Sequence, residues 1–127
     1  MAETTSTARA AKGRDLGAYG EARAARYLTG LGMILVDRNW RCEQGEIDLV
    51  LRDGDVLVVC EVKTRSSDRF GHPLETVTER KAARLRRLAA RWLAEHPVRP
   101  VDVRLDLVGV LVGPGTEPVL EHVRGIG

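Results

Sequence analysis

The chain has 127 residues, of which 43% are hydrophobic and 30% charged, and a formal net charge of +2, which suits one domain with one hydrophobic core. No apolar run is long enough to cross a bilayer and the N-terminus has no hydrophobic secretory segment, which disfavours a membrane or secreted protein. The two cysteines, Cys42 and Cys60, lack metal-ligand spacing, which indicates reduced thiols and a cytoplasmic protein.

The predicted elements form the order α-β-β-β-α-β. Residues 1–14 show no periodicity and are predicted to be a disordered tail, with the domain at residues 15–127. The elements of the domain are a helix at Leu16–Leu31, a short strand at Met33–Val36 followed by a loop, a hairpin at Gly45–Arg65, a helix at Thr76–Glu95 opened by a capping box, a strand at Val101–Val112 and an edge strand at Val119–Val123.

The hairpin is predicted from the turn between its two strands. Runs of β-branched and aliphatic residues flank Asp53-Gly54, a dipeptide that supplies the positive φ angles of a tight turn. We expect Asp53 and Gly54 to form a two-residue loop, which sets the register of the ladder. The predicted partners are then Asp48 with Val59, Leu49 with Val58 and Glu46 with Glu61.

This register gives the hairpin one charged face and one apolar face, because side chains alternate along a strand. Asp48 and Glu61 become diagonal neighbours, about 7–8 Å apart at the backbone, within reach of one bound ion. Repulsion between carboxylates is relieved by solvation, by raised pKa values or by a divalent cation, and the sequence leaves these alternatives open. The charged face carries Glu46, Asp48, Glu61 and Lys63. The apolar face carries Ile47, Leu49, Leu51, Cys60 and Val62.

Two other side chains have two interpretations each. Glu21, on the first helix, is predicted to point toward the protein core, where it is either a boundary residue that reaches back to solvent or a member of the acidic face of the hairpin. The glycines at positions 17 and 20 would permit this helix to pack closely on the sheet. Trp40, between two arginines, is either a core or boundary aromatic or a residue that stacks on a base.

The second helix carries an arginine stripe beside its apolar stripe. The stripe indicates either a solvated face or a surface for phosphate groups, and we favour nucleic acid. Lys81 differs from the arginines because its helical angle turns it inward, which suggests an anionic partner inside the protein. The residues assigned to nucleic-acid binding are Arg65, Arg80, Lys81, Arg84, Arg87 and Arg91.

The linked motifs resemble those of the YraN-like family of small bacterial proteins, within the PD-(D/E)XK nuclease superfamily that includes the archaeal Holliday-junction resolvases. The resemblance covers roughly residues 16–112. It implies a single-domain α/β fold of the restriction-endonuclease type, with a mixed central sheet flanked by helices. The matching segments are Gly17-x-x-Gly20-Glu21-x-x-Ala24, Arg38–Arg41, Gly45–Leu49, Glu61–Arg65, Phe70-Gly71 and Lys81.

The resemblance also implies a role for each site residue. Asp48 and Glu61 would bind Mg²⁺, or Mn²⁺ in its place, together with the Val62 carbonyl. Lys63 would orient the attacking water or stabilise charge on the phosphate, and Glu21 would match the helix-borne acid of the resolvases. Oxygen ligands suit magnesium, and the scattered histidines disfavour zinc.

The implied activity is hydrolysis of phosphodiester bonds by a metal-dependent endonuclease acting on branched or otherwise structured DNA, with a homodimer expected by analogy to the resolvases. One alternative is a nucleic-acid-binding module that keeps the fold without cutting alone. Another is an adaptor whose arginine helix docks an acidic protein.

Overall fold

A computed structural model of the protein describes residues 2–66, 79–115 and 117–126, with side chains described from Asp15 onward. Its α/β fold is a five-stranded mixed sheet with two helices, which confirms the predicted fold class and the α-β-β-β-α-β core. The elements are α1 (Ala2–Gly30), β1 (Ile34–Cys42), β2 (Gly45–Asp53), β3 (Val56–Arg65), α2 (Glu79–Ala94), β4 (Asp102–Leu111) and β5 (Val119–Val123).

The sheet has the strand order β1-β2-β3-β4-β5. Strands β3 and β4 pair in parallel, whereas the other three pairs are antiparallel. A parallel pair needs a crossover, and α2 lies between β3 and β4 in the chain. The predicted Thr76 capping residue and the Phe70-Gly71 motif lie outside the described residues.

Among the described residues, two bounds differ by more than one residue from those predicted. Helix α1 begins at Ala2 rather than Leu16, because the preceding segment is rich in alanine and other helix formers although it has no amphipathic period. The assignment of residues 1–14 to a tail outside the domain stays a prediction, since their side chains are not described. Strand β1 continues to Cys42, where a loop was predicted after Val36, because a bulge after Leu35 and a positive φ of 52° at Asn39 break its alternation.

The predicted hairpin register is wrong by two residues. Asp53 pairs with Val56, so the loop consists of Gly54 and Asp55, and Leu49 faces Cys60 instead of Val58. Gly54 has a φ of 63° and occupies the first loop position, the place where a type II′ hairpin favours glycine. The predicted partnerships of Asp48 with Val59 and of Glu46 with Glu61 are therefore also wrong.

The sheet has a buried core on each face. On one face, α2 contributes Leu85, Leu88 and Trp92, and the indole Nε1 of Trp92 donates a 2.9 Å hydrogen bond to Asp37 Oδ2 in β1. On the other face, α1 packs Ala24 and Leu28 against the sheet. These buried faces hold the helices at fixed positions over the ladder between β2 and β3.

The alternation predicted for β2 is interrupted at Asp48. Leu49 and Leu51 belong to the core on the α1 side, as does Cys60 of β3. Ile47 belongs instead to the core on the α2 side, together with Val50. The prediction that Ile47 shares a face with Leu49 is therefore wrong, because the strand changes its regular alternation between these two residues.

A buried aspartate joins β4 to the following chain. Asp106 is fully buried, its carboxylate accepts hydrogen bonds from Arg104 at 2.9 and 3.1 Å and from the Gly125 amide at 3.2 Å, and its Oδ2 lies 2.7 Å from His122 Nε2. Burial alone raises the pKa of Asp106, but these hydrogen bonds outweigh burial and lower it. The predicted edge strand at Val119–Val123 is confirmed, and His122 lies within it.

Helix α1 approaches β3 most closely at Gly20. A Cβ atom at Gly20 would overlap the Thr64 hydroxyl and lie 2.8 Å from the Thr64 Cβ, whereas one at Gly17 would meet no atom within 4 Å. The close packing expected of these glycines is thus confirmed at Gly20 alone. Glu21 follows directly, so this contact also sets the height of Glu21 above the sheet.

We expect Gly20→Ala to lower the free energy of unfolding by about 1–3 kcal/mol, because the added methyl group must displace Thr64 or the helix. The matched variant Gly17→Ala should be as stable as the wild type or up to about 1 kcal/mol more stable, since alanine favours the helix. Urea unfolding of the three proteins measures the difference. Equal stability of the two variants would contradict the close contact.

Candidate active site at the end of the hairpin ladder

The site lies where β2 and β3 stop pairing. The last Cα pair of this ladder is Leu49 with Cys60, and Asp48 and Glu61 are the next residues on the two strands. Asp48 Oδ2 accepts a 2.8 Å hydrogen bond from the Val62 amide, so a side chain of β2 bonds the backbone of β3 beyond the ladder. This bond fixes the half-buried Asp48 carboxylate beside Glu61.

Glu61 is paired with two cations from α2. Its Oε1 lies 3.4 Å from Arg84 Nη2, and its Oε2 lies 3.5 Å from Lys81 Nζ. The Glu61 side chain is only 12% exposed, and Oε2 is buried with no hydrogen-bond partner, because 3.5 Å is the separation of an ion pair rather than of a well-formed hydrogen bond. One oxygen of Glu61 therefore has unused bonding capacity.

Four carboxylates share one electrostatic environment. Burial raises the pKa of Asp48 to about 6; the Val62 hydrogen bond opposes this rise, and the charges of Glu21, Glu61 and Glu46 add to it. The pKa of Glu21 is also raised, first by burial and then by Glu46. Helix α1 thus brings Glu21 close enough to act on Asp48, as one interpretation of its inward direction predicted.

Positive charge is concentrated beside Glu61. The pKa of Lys63 is lowered, first by its side-chain contact with Lys81, then by burial and by the charge of Lys81, while Glu61 opposes the shift. The two ammonium groups therefore lie side by side. With Arg84 they place three cations near the carboxylates, so that the site can interact with both a cation and an anion.

The predicted nucleic-acid-binding residues occupy different environments. Lys81 lies inside the site, as its helical angle predicted, with a side chain 17% exposed. Arg80 and Arg87 are exposed on α2, whereas Arg91 contacts two glutamates: Glu43 at 2.8 Å and Glu95 at 2.7 Å. Arg65 is half-buried, and its Nη1 donates to the Thr64 carbonyl at 3.2 Å.

Reasoning from the residues alone missed the contribution of β1. Asn39 hydrogen-bonds Glu21, and this bond and the charges of Arg38 and Arg41 oppose the rise that burial causes in the pKa of that glutamate. The sequence feature that could have indicated this contribution is the Arg38–Arg41 motif, together with the tolerance of asparagine for positive φ. Trp40 is partly buried and packs against the core on the α2 side, which agrees with its interpretation as a core or boundary aromatic.

The oxygen atoms of the site suit a hard divalent cation. Among the described residues, no three His, Cys, Asp or Glu side chains converge where they alone could bind a metal ion. The expected donors are fewer: the Asp48 and Glu61 carboxylates and the Val62 carbonyl, with water or phosphate completing the coordination that magnesium requires. Glu61 Oε2, which accepts no hydrogen bond, and the negative charges around Asp48 support this donor set.

An apolar pocket beside α2 is a separate feature. It has a volume of about 390 Å³ and lies between α2 and β4, where its lining includes Ala89, Leu93 and Ile126. The carboxylates and the lysines of the site do not line it.

In the part of the chain that the structure describes, no helix is long and apolar enough to span a membrane.

Fold and site together define a single-domain α/β protein in which acidic residues of a hairpin meet cations of a crossover helix. A family model described as "Uncharacterised protein family UPF0102" matches residues 20–110. The chain therefore belongs to the UPF0102 family, which confirms the resemblance to YraN-like proteins. The matched region contains the whole candidate site.

Bacterial relatives match nearly the whole chain. A UPF0102 protein of Nocardioides sp. is 63% identical over 123 residues, covering 97% of this chain and 99% of the relative. A UPF0102 protein of Streptomyces coelicolor is 59% identical over 113 residues, covering 87% of each chain. One from Frankia alni is 59% identical over 110 residues, covering 87% of this chain and 92% of the relative.

We expect the raised pKa of Asp48 to make the wild type lose stability as the pH rises from about 4 to about 6, because the folded protein holds the Asp48 proton more tightly than the unfolded chain does. Asp48→Asn removes this loss. At pH 7.5 in a chelator the variant should be more stable by on the order of 2 kcal/mol, and the difference should shrink toward pH 4.

Urea unfolding across this pH range measures the effect, with Asp55→Asn in the exposed hairpin turn as the control for general acid sensitivity. A stability difference between Asp48→Asn and the wild type that does not vary with pH would contradict the raised pKa.

Proposed function

We propose that this protein is a metal-dependent endonuclease that hydrolyses phosphodiester bonds in structured or branched DNA. The observation that carries the proposal is the position of Glu61, which adjoins the carboxylate of Asp48 on one side and pairs with Lys81 and Arg84 on the other. An acidic group for a divalent cation and basic groups for phosphate therefore occupy one small region.

The two carboxylates and the Val62 carbonyl are the proposed holders of Mg²⁺, with Mn²⁺ as a substitute. When bound, the ion supplies an activated water and stabilises the charge that develops on the phosphate. The Val62 amide keeps Asp48 oriented through the 2.8 Å hydrogen bond. Lys63 is half-buried beside Lys81, where its amine can orient the attacking water or contact a phosphate oxygen.

Glu21 has a supporting role in this proposal. Its pKa is raised by burial and by Glu46, while its hydrogen bond to Asn39 opposes that shift. Its charge acts on Asp48, so Glu21 adds to the negative potential that attracts a cation and can bind a water of the metal.

The proposed partner is nucleic acid, and DNA rather than RNA follows from the resemblance to the resolvases. Exposed Arg80 and Arg87 on α2 support a phosphate-binding surface beside the site. A homodimer acting on two strands belongs to the same proposal. Cys42 and Cys60 are both free thiols, which supports the proposal of a reducing, cytoplasmic location.

A binding module without nuclease activity is the second candidate. The observation that favours it is the pairing of both Glu61 oxygens with cations, which satisfies much of the charge of the site without a metal. Such a protein would bind DNA and show no cleavage in any divalent cation.

Cleavage is tested with labelled four-way junctions, flaps, duplex DNA and RNA, each with and without Mg²⁺ or Mn²⁺. We expect metal-dependent cleavage that falls by roughly 100-fold or more in Asp48→Asn and Glu61→Gln, because several kcal/mol of transition-state stabilisation is lost. Glu43→Gln, which removes an exposed carboxylate paired with Arg91, should cleave like the wild type.

The same Asp48→Asn protein is expected to be more stable than the wild type at neutral pH, so a loss of cleavage would not reflect unfolding. Binding without cleavage in every metal would favour the binding module. Cleavage that survives both substitutions would overturn the assignment of the site.

We expect the double variant Arg80→Ala, Arg87→Ala to bind DNA more weakly and to reduce the slope of log affinity against log salt by about 0.9 for each phosphate that the protein no longer neutralises. Arg91→Ala is the matched control, since Arg91 already contacts Glu43 and Glu95. Fluorescence anisotropy at several salt concentrations measures both quantities. Unchanged binding in the double variant would show that these arginines are exposed to solvent and do not contact DNA.

A further inference from the structure

The two oxygens of Glu61 are divided between two cations of α2 that differ in exposure. Lys81 is 17% exposed and contacts Oε2, whereas Arg84 is 46% exposed and contacts Oε1. The carboxylate itself is 12% exposed. Glu61 is therefore enclosed by its partners, and Arg84 is the partner with access to solvent.

These contacts oppose metal binding in the free protein. A divalent cation that approaches Glu61 meets the ammonium of Lys81 and the guanidinium of Arg84, and like charges repel more strongly where water is scarce. If the ion displaces Lys81 from Glu61, a largely buried positive charge loses its contact with that carboxylate, which is costly.

The same contacts oppose phosphate binding. A phosphate group that takes Lys81 or Arg84 away from Glu61 leaves a largely buried carboxylate without its counter-charge. When both ligands bind, however, the partners are exchanged. The metal ion replaces the cations at Glu61 and the phosphate replaces Glu61 at the cations, so no buried charge stays unpaired.

We infer that divalent cation and nucleic-acid phosphate bind this site cooperatively, through the exchange of partners at Glu61, with Arg84 and Lys81 as the positioning residues. This inference rests on the proposed function and adds a regulation to it: the site binds its metal firmly only when a phosphate backbone is present. Because linkage is reciprocal, the metal must strengthen DNA binding by the same factor.

The test measures DNA affinity by anisotropy of a fluorescein-labelled duplex, in Mg²⁺ and in EDTA at constant ionic strength. Gels check that the duplex stays intact, and Ca²⁺, another cation with oxygen ligands, replaces Mg²⁺ if it is cut. Asp48→Asn lacks one of the proposed metal ligands, so its DNA affinity in the two media measures the effect of charge screening by the divalent ion alone. Relative to that effect, the wild type should bind DNA about tenfold more tightly with metal, as is typical of coupled sites.

Substitution of the positioning residues should remove the coupling. Arg84→Ala and Lys81→Ala should show little change between Mg²⁺ and EDTA, and calorimetry without DNA should show that both bind Mg²⁺ more tightly than the wild type does. Arg80→Ala is the matched control, because Arg80 is exposed on the same helix. It should weaken DNA binding equally in both media and keep the tenfold ratio.

The outcomes separate this inference from the proposed function. Metal and DNA that both bind the wild type, but independently of each other, would overturn the coupling and leave the nuclease proposal standing. Weaker Mg²⁺ binding by Arg84→Ala without DNA would also overturn it, since the guanidinium would then assist the metal site. A wild type that binds no divalent cation, with or without DNA, would overturn both.

Discussion

The hydrogen bond from the Val62 amide to Asp48 Oδ2 is the interaction on which the arrangement of the site depends. Beyond Leu49 and Cys60 the two strands no longer pair, and a carboxylate occupies the place where a backbone acceptor would continue the ladder. The Asp48 carboxylate is thus held in a fixed position by the backbone of the neighbouring strand. An exposed side chain on a loop would lose far more rotamer freedom on binding a ligand.

The end of the ladder also explains how both helices act at one point. Helix α1 packs on one face of the sheet and α2 on the other. Glu21 of α1 nevertheless raises the pKa of Asp48, and Lys81 of α2 pairs with its neighbour Glu61. In a continuous sheet these helices would be separated by a layer of backbone. Where the strands separate, residues from the two faces can influence the same ligand.

The sequence predicted the composition of the site better than its pairing. Within the part of the hairpin that pairs, a register error of two residues leaves the side chains on their expected faces, because the period of a strand is also two. Asp48, Glu61 and Lys63 do lie near one another, since the charge of Glu61 acts on both of the others, although the predicted cross-strand partners were wrong. No local pattern marks where a ladder ends, and so the displacement of Ile47 to the α2 side could not be predicted. The pairing of Arg91 with Glu43 joins distant parts of the chain and is equally invisible to helical periodicity.

Asp106 has a consequence for how much of the chain a working fragment must contain. The family match ends at residue 110, and β5 is a short strand at the edge of the sheet. Trimming the protein to the matched region would nevertheless remove His122 and the Gly125 amide, and leave a fully buried carboxylate with Arg104 as its remaining partner. The last strand and the residues after it therefore supply polar contacts to β4, including a 2.8 Å hydrogen bond from the Ile126 amide to the Leu105 carbonyl, and a working fragment should retain them.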